Sequence, residues 1–405
     1  MKILENIRVL DLTRMVAGPV ATQNLADMGA TVYKIERPQV GDDTRKIGPF
    51  LKDKDGKETN SSAFFLAANR GKQSITVDIT TPEGAKIIRE LVKNCDVFVE
   101  NYKAGNLKKY GLDYDSIKQI CPEIIYCSIT GFGQDGPYAP RPAYDFILQG
   151  MVGLMSTTGH PAEHVGAEPM RTGIPMTDVL TGQNAAIAIM GALYHRLHTG
   201  KGQWIDVAMI DSAVHANGHL ALGYLMTGDV PQAAGNANPV ASPSDVFPCK
   251  DGYLIIAAGN DSQFASLCRL FHLEHLIDDP EYRSNSVRVK NRHQLRQMIC
   301  DAICLWSKGD LVKALEIAGV PCGPINRMDQ VFADPQVKHR HLEKHLPHSS
   351  GVDAPSLRSP LTFSLTPVEH IAPPVLGEHT QTILKEVLGL SNEQIKSLQD
   401  QKVIS

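Results

Sequence analysis

The sequence predicts an α/β protein built on an open, doubly wound parallel sheet (Rossmann-like), and three observations carry that prediction. Apolar strand patterns alternate regularly with amphipathic helix patterns over the first 135 residues, and such alternation means parallel pairing with helices on both faces. The composition is that of a folded globular chain, 42% apolar and 21% charged, which excludes disordered and fibrous classes. No apolar run approaches the roughly 18 residues of a membrane span, so partnership with a membrane is not expected. At 405 residues the chain has room for two or three folding units. It can bury a large core without disulfides or a structural metal.

Each element follows in order. Ile7–Asp11 reads as a buried strand, and 19–28 as a helix with Pro19 near its first position, where proline's fixed φ and missing N–H cost nothing. Strands follow at Thr31–Glu36 and, after a polar loop, Ser74–Asp78. Residues 82–93 form a helix with Ile87, Ile88 and Leu91 on one face. Val97–Asn101 is a strand, 106–120 a helix and Ile124–Thr130 a strand. Beyond them, 178–197 is a buried helix, 204–208 a strand and 210–225 a helix. Gly, Pro, Ala, Ser and Asn dominate 227–248, a linker or active-site loop. Residues 251–321 combine a strand at Tyr253–Ala258 with several helices, a smaller α+β domain, and the tail from Gly377 to Leu398 ends in helices. Ligands of such a sheet belong at the carboxyl ends of its strands.

Charge and cysteine usage exclude further classes. A net charge of −4 gives no basic field, which argues against a nucleic-acid partner. Met1–Asn6 runs directly into the apolar stretch Ile7–Leu12 with no basic leader region, so no cleavable signal is expected. The eight cysteines are scattered without CxxC spacing, which predicts no zinc ribbon or redox pair. Cys300 and Cys304 fall on one face of a helix and read as buried free thiols. Reduced thiols suit a cytoplasmic enzyme.

The familiar phosphate and nucleophile motifs are missing. The first strand-to-helix turn, Asp11–Pro19, holds one glycine where a dinucleotide fingerprint needs three. Neither a P-loop nor a GxSxG elbow occurs. The histidines at 339, 341, 345 and 348 do not have zinc spacing, with Glu343 misplaced between His341 and His345, so they read as a solvated segment and no metal is predicted. More telling are cations near predicted strand ends: Arg37, Lys72, Lys103 and Lys109. Each alone is ordinarily a solvated surface charge; together they would line one sheet edge and receive a phosphate-rich ligand.

On these residues the chain resembles the class III CoA-transferases, the formyl-CoA:oxalate and carnitine CoA-transferase type, to which the α-methylacyl-CoA racemases are related. The resemblance runs almost end to end. It rests on Val9–Thr13 with Ala17–Pro19, Gly29–Pro38, Gly41–Asp43, Asn69–Lys72, Glu100–Tyr102, Ser128–Gly133, Ala143–Asp145, Gly200–Gln203 and Leu376–His379. It implies a large domain from 1–205 and 326–405, linker and active-site loops over 206–250, a small inserted domain over 251–325, and an interlocked homodimer. It also implies a coenzyme A site at Val16, Ala17, Arg37, Asn69, Arg70, Gly71, Lys72, Asn101, Tyr102, Lys103 and Lys109, with Tyr144 and Asp145 beside them. CoA's pyrophosphate and 3′-phosphate would give the cations a reason to converge.

The family's catalytic aspartate falls on Asp178. Its ordinary reading is a helix N-cap worth about 1 kcal/mol; the resemblance makes it the nucleophile, with helix-terminal N–H groups expected to favour its ionised form. Such a carboxylate would carry the acyl group as a mixed anhydride and then CoA as a thioester, with no cofactor beyond the CoA thioester substrate. Backbone N–H groups near Val16 and Ala17 would meet the oxyanion. Some relatives carry glutamine where this chain has Val16, and the glycine-rich loop of the oxalate enzyme is unmatched, Gly235–Pro239 being the nearest stretch. The first departure removes any side-chain amide contribution to the oxyanion, and the second weakens the transfer of that loop's role and of oxalate as substrate. Arg171 would either pair a second carboxylate on a small dicarboxylic acid, such as succinate, oxalate, malate or mesaconate, or serve structure. The alternatives are a racemase of the same fold and a CoA-binding protein without catalysis. The racemase needs a histidine where this chain has Tyr144, a poor base at neutral pH.

Overall fold

The computed structural model describes residues 2–405. Six strands form the main sheet: β1 (Arg8–Asp11), β2 (Thr31–Glu36), β3 (Lys72–Thr76), β4 (Val97–Glu100), β5 (Ile125–Thr130) and β6 (Trp204–Ala208). Their order is β3-β2-β1-β4-β5-β6, and every pair is parallel. The doubly wound α/β expectation therefore holds. The order reverses at β1, so the loops after β1 and β4 diverge to opposite sides and leave a crevice at their carboxyl ends.

Alternation along the strands builds the two faces. Leu10 and Phe98 point to one side with Tyr33, Ile75, Ile88, Leu91 and Tyr126, joined by Ile383, Leu384 and Ile404 from the tail. Val9, Val97 and Val99 point to the other, against Ala21, Leu25, Ala185 and Ile189. The last four belong to two helices, Ala17–Asp27 and the 24-residue Met176–Thr199. These two cross closely because Gly182 has no side chain: a Cβ there would meet the Ala17 carbonyl oxygen at 2.5 Å. That contact sets the start of the long helix against the turn after β1.

The chain divides into two compact units. One comprises 1–154, 171–229 and 338–405; the other comprises 155–170 and 230–337. The second is α+β, a three-stranded antiparallel sheet of Ser244–Cys249, Gly252–Ala257 and Cys322–Pro324 under helices that bury Phe247, Phe264, Leu295, Ile299 and Leu311. Its Arg288 is fully buried and donates to the carbonyls of Ser242, Tyr282 and Gly259 and to Asp261. These units cut the chain differently from the partition at 205, 250 and 325. Position 205 lies inside β6, the helices Met209–Ala216 and Gly218–Thr227 fall in the first unit, and Ser244–Cys249 is sheet of the second.

Smaller expectations are corrected by local geometry. The helix expected over 106–120 breaks at Gly111, which has φ 64°, leaving a single 3₁₀ turn and the helix Tyr114–Ile120. The helix over 210–225 breaks at Gly218, φ 45°. The polar loop before β3 holds a hairpin, Phe50–Lys52 with Glu58–Ser62. Cys300 is buried but Cys304 is exposed, since it caps the helix Arg292–Ile303 at its end. The histidine segment is only partly solvated: His345 is exposed beside Glu343, whereas His348 is buried and bonds Ser350. Among the described residues no helix is long and apolar enough to cross a membrane.

Candidate active site

The crevice at the reversal of the sheet is a cavity of about 400 Å³ in the first unit. The turn after β1 supplies Arg14, Met15 and Ala17, and the turn after β4 supplies Asn101, Tyr102 and Lys103. Arg141, Tyr144 and Asp145 come from the segment after β5, and Asp178 completes the lining. The two turns are tied together by Asn101, whose Oδ1 accepts from the Arg14 amide at 3.0 Å while its Nδ2 donates to the Arg14 carbonyl at 2.7 Å. Met15 is held in the left-handed region at φ 69°, an uncommon conformation for a side chain of its size. Its amide donates to Asp42 Oδ1 at 3.2 Å.

Asp178 lies in the first turn of the long helix, but it does not cap it. Pro175 occupies the N-cap position. Burial pushes the Asp178 carboxyl up to about 7, the charge of Asp145 adds to the push, and only the Ala17 backbone amide pulls the other way. The expected dipole effect on this group is thus outweighed: near a helix start the dipole is worth about 0.3–1 kcal/mol, less than desolvation plus a neighbouring carboxylate. Asp145 is in turn firmly held. Its Oδ1 accepts from the Thr177 amide at 2.7 Å and the Thr177 hydroxyl at 2.6 Å, and its Oδ2 accepts from Gln149 Nε2 at 2.7 Å. Glu100, at the end of β4, is also pushed up to about 7 by burial, against the opposing bonds from Ser128 and the Tyr102 amide.

The expected CoA residues divide into two groups. Ala17, Asn101, Tyr102, Lys103, Tyr144 and Asp145 line the cavity with Asp178. Arg37 reaches its rim through Asp43, which it meets at 2.6 Å and which Arg14 meets from the other side at 3.0 Å. Val16 is buried at the helix N-cap beside the cavity.

Asn69, Arg70 and Lys72 lie elsewhere, in the protein interior, and do not reach the cavity as open cations. Arg70 is clamped on Asp27 by two bonds of 3.0 and 2.6 Å. Lys72 is fully enclosed and donates to Asp11 at 3.1 Å, the Pro19 carbonyl at 3.0 Å and Asn69 at 2.9 Å. A buried ammonium requires such saturation, and even so burial draws Lys72 down to about 8. Gly71 takes φ 73° between them, and its amide donates to Ile371. Lys109 does not line the cavity either; its ammonium sits 4.8 Å from the Tyr110 ring centre. Arg171 is exposed and lies over the Phe146 ring at 5.2 Å.

Two lining cations escaped the sequence reading. Arg14 stands in the turn after the first strand, Asp11–Pro19, and its place at a strand's carboxyl end was the available signal. Arg141, 3.8 Å from the Tyr138 ring centre, lies in a stretch with no periodicity, and nothing local marks it.

Fold and cavity together define a doubly wound α/β protein with a ligand site at the carboxyl ends of its strands, and comparison with known proteins fixes the class. The family model for CoA-transferase family III matches residues 4–380, and the chain belongs to that family. It is 47% identical over 388 residues to a succinate–glutarate CoA-transferase of Agrobacterium fabrum, covering 95% of both chains. It is 43% identical to a human succinyl-CoA:glutarate CoA-transferase, covering 98% of this chain and 89% of that one. A crystal structure of a CaiB/BaiF family protein from Brucella suis superposes with a TM-score of 0.86 at 44% identity, covering 95% of this chain and 99% of that one. The protein is a CoA-transferase, and its reactants are an acyl-CoA and a carboxylic acid.

Proposed function

We propose that the enzyme moves CoA from an acyl-CoA donor to a small dicarboxylic acid through covalent intermediates on Asp178. The observation that carries this reading is the seat of Asp178, a partly buried carboxyl facing the Ala17 amide in the cavity that Asn101, Tyr102 and Lys103 also line. In the first step a carboxylate oxygen of Asp178 attacks the thioester carbonyl. The C–S bond breaks, giving a mixed anhydride and CoA thiolate. The thiolate then attacks the aspartyl carbonyl, releasing the donor acid and leaving an aspartyl-CoA thioester. The incoming carboxylate attacks that thioester, and the thiolate recaptures the new acyl group, restoring Asp178. One thioester is exchanged for another, so the scheme calls for no cofactor beyond CoA itself.

The Ala17 amide is suited to meet the tetrahedral oxyanion. The cations Arg14, Lys103 and Arg141 suit a ligand bearing phosphates and carboxylates. Succinate and glutarate in the names of the similar enzymes support a dicarboxylate, and the family resemblance supports an interlocked homodimer with CoA held at the cavity. Incubation with succinyl-CoA and hydroxylamine should place a hydroxamate on Asp178, read by peptide mass spectrometry. A panel of C2 to C6 dicarboxylates with succinyl-CoA or acetyl-CoA then identifies the acceptor. Full transfer by Asp178→Ala would overturn the covalent scheme.

A further inference from the structure

The carboxamide of Gln149 joins two parts of the molecule that the reaction must keep in register. The side chain is fully buried. Its Nε2 donates to Asp145 Oδ2 at 2.7 Å, while its Oε1 accepts from the Thr172 amide at 3.0 Å and lies 3.3 Å from the Thr172 hydroxyl. Thr172 belongs to the segment that leads into the long helix, and its hydroxyl donates to the Ile174 carbonyl at 2.8 Å. Asp145 bonds the same helix one residue before Asp178, through both the amide and the hydroxyl of Thr177. The result is a closed loop of hydrogen bonds, Thr172–Gln149–Asp145–Thr177, around the base of the nucleophile. Only an uncharged side chain that donates on one side and accepts on the other completes it.

We propose that Gln149 is a positioning residue for CoA transfer, fixing the Asp145 carboxylate and the start of the long helix so that Asp178 faces the cavity. This rests on the reading of Asp178 as the nucleophile. A leucine at 149 fills the space but breaks both bonds. A glutamate there keeps them while protonated, since it then donates to Asp145 and accepts from Thr172. Once ionised it repels Asp145 across 2.7 Å. Ionisation of that introduced carboxyl would add a second negative charge behind Asp178, on top of Asp145. The other charged groups along the cavity are Arg14, Asp43, Lys103 and Arg141, and none of them changes in these variants.

Two measurements test this. Infrared difference spectra of each protein against its own Asp178→Asn counterpart titrate the Asp178 carboxyl without substrate. Steady-state kinetics with succinyl-CoA and a dicarboxylate give kcat and KM across pH 5–9. In Gln149→Glu the infrared midpoint should move upward by about one pH unit or more, and kcat relative to the unmodified enzyme at the same pH should fall progressively as pH rises. In Gln149→Leu, kcat should drop about tenfold or more with KM for succinyl-CoA within about twofold. A folded Gln149→Glu protein, verified by circular dichroism, with an unmoved midpoint and an unchanged pH profile overturns the inference. A moved midpoint in a protein whose unmodified form transfers no CoA overturns the proposed function instead and supports the link from Gln149 to Asp178.

Discussion

Two charged regions of the first unit are built on opposite terms. Beneath the sheet edge, Arg70 and Lys72 are enclosed and every donor direction of the Lys72 ammonium is occupied by Asp11, Asn69 or the Pro19 carbonyl. In the crevice, Arg14 and Arg37 share one half-buried Asp43, and Asp178 is pushed toward neutrality by burial and a carboxylate neighbour. The first region is satisfied by the protein itself. The second leaves its electrostatics incomplete, as a site must when its ligand supplies the remainder. Residue type alone does not separate the two; the partners do.

The largest disturbance of that contrast comes from the enclosed side. Lys72→Met leaves Asp11 ionised and buried without its closest cation, and should cost about 3–5 kcal/mol, read as a lower midpoint in urea unfolding. The same substitution logic predicts a gain at the site. Asp178 has its carboxyl raised from 3.8 to about 7, so the folded state binds the extra proton and stability falls as pH rises from about 4 to about 7. Asp178→Asn should therefore match the unmodified protein near pH 4 and exceed it at pH 8 by on the order of 1–3 kcal/mol, checked by thermal melts at the two pH values. Transfer activity should vanish in that variant. The smallest effect belongs to the rim. Arg37→Ala removes an exposed pair worth under about 1 kcal/mol, leaving the melting temperature nearly unchanged while raising KM for the acyl-CoA. An equal loss of stability in Arg37→Ala and Lys72→Met would erase the distinction between the regions.

The sheet was legible because its strands are short, apolar and separated by helices with clear periodicity. β2 and β6 fall on the residues expected, and β5 differs by one. The hairpin Phe50–Ser62 was illegible because its tip and outer positions, Lys52, Lys54, Asp55, Lys57 and Glu58, look like any solvated loop. Within the site, Asn101, Tyr102, Lys103 and Asp178 gather as the motifs suggested. Asn69–Lys72 did not, for a specific reason: the partners that enclose them are distant in sequence. Asp27 precedes Arg70 by 43 residues and Asp11 precedes Lys72 by 61. A cation's neighbours along the chain say nothing of a carboxylate brought to it by another strand. Likewise the environment of Asp178 depends on Asp145, which stands on a separate helix well before it in the chain and reaches it only after the long helix has docked.

The division of the first unit into three separated stretches has a consequence for how the chain is made. Ile383, Leu384, Val403 and Ile404 belong to the same cluster as Leu10 and Phe98. At a ribosomal rate of about 5–20 residues per second, strands β1–β5, made by residue 154, wait roughly 10–50 s for that covering. The second unit lies mostly within 230–337 and is released whole before the tail arrives. During synthesis the part of that face which Ile383, Leu384 and Ile404 cover, beside the residues already packed by Ile88 and Leu91, is thus open for longer than most folding events last, and a chaperone that shields it should raise the yield of active enzyme.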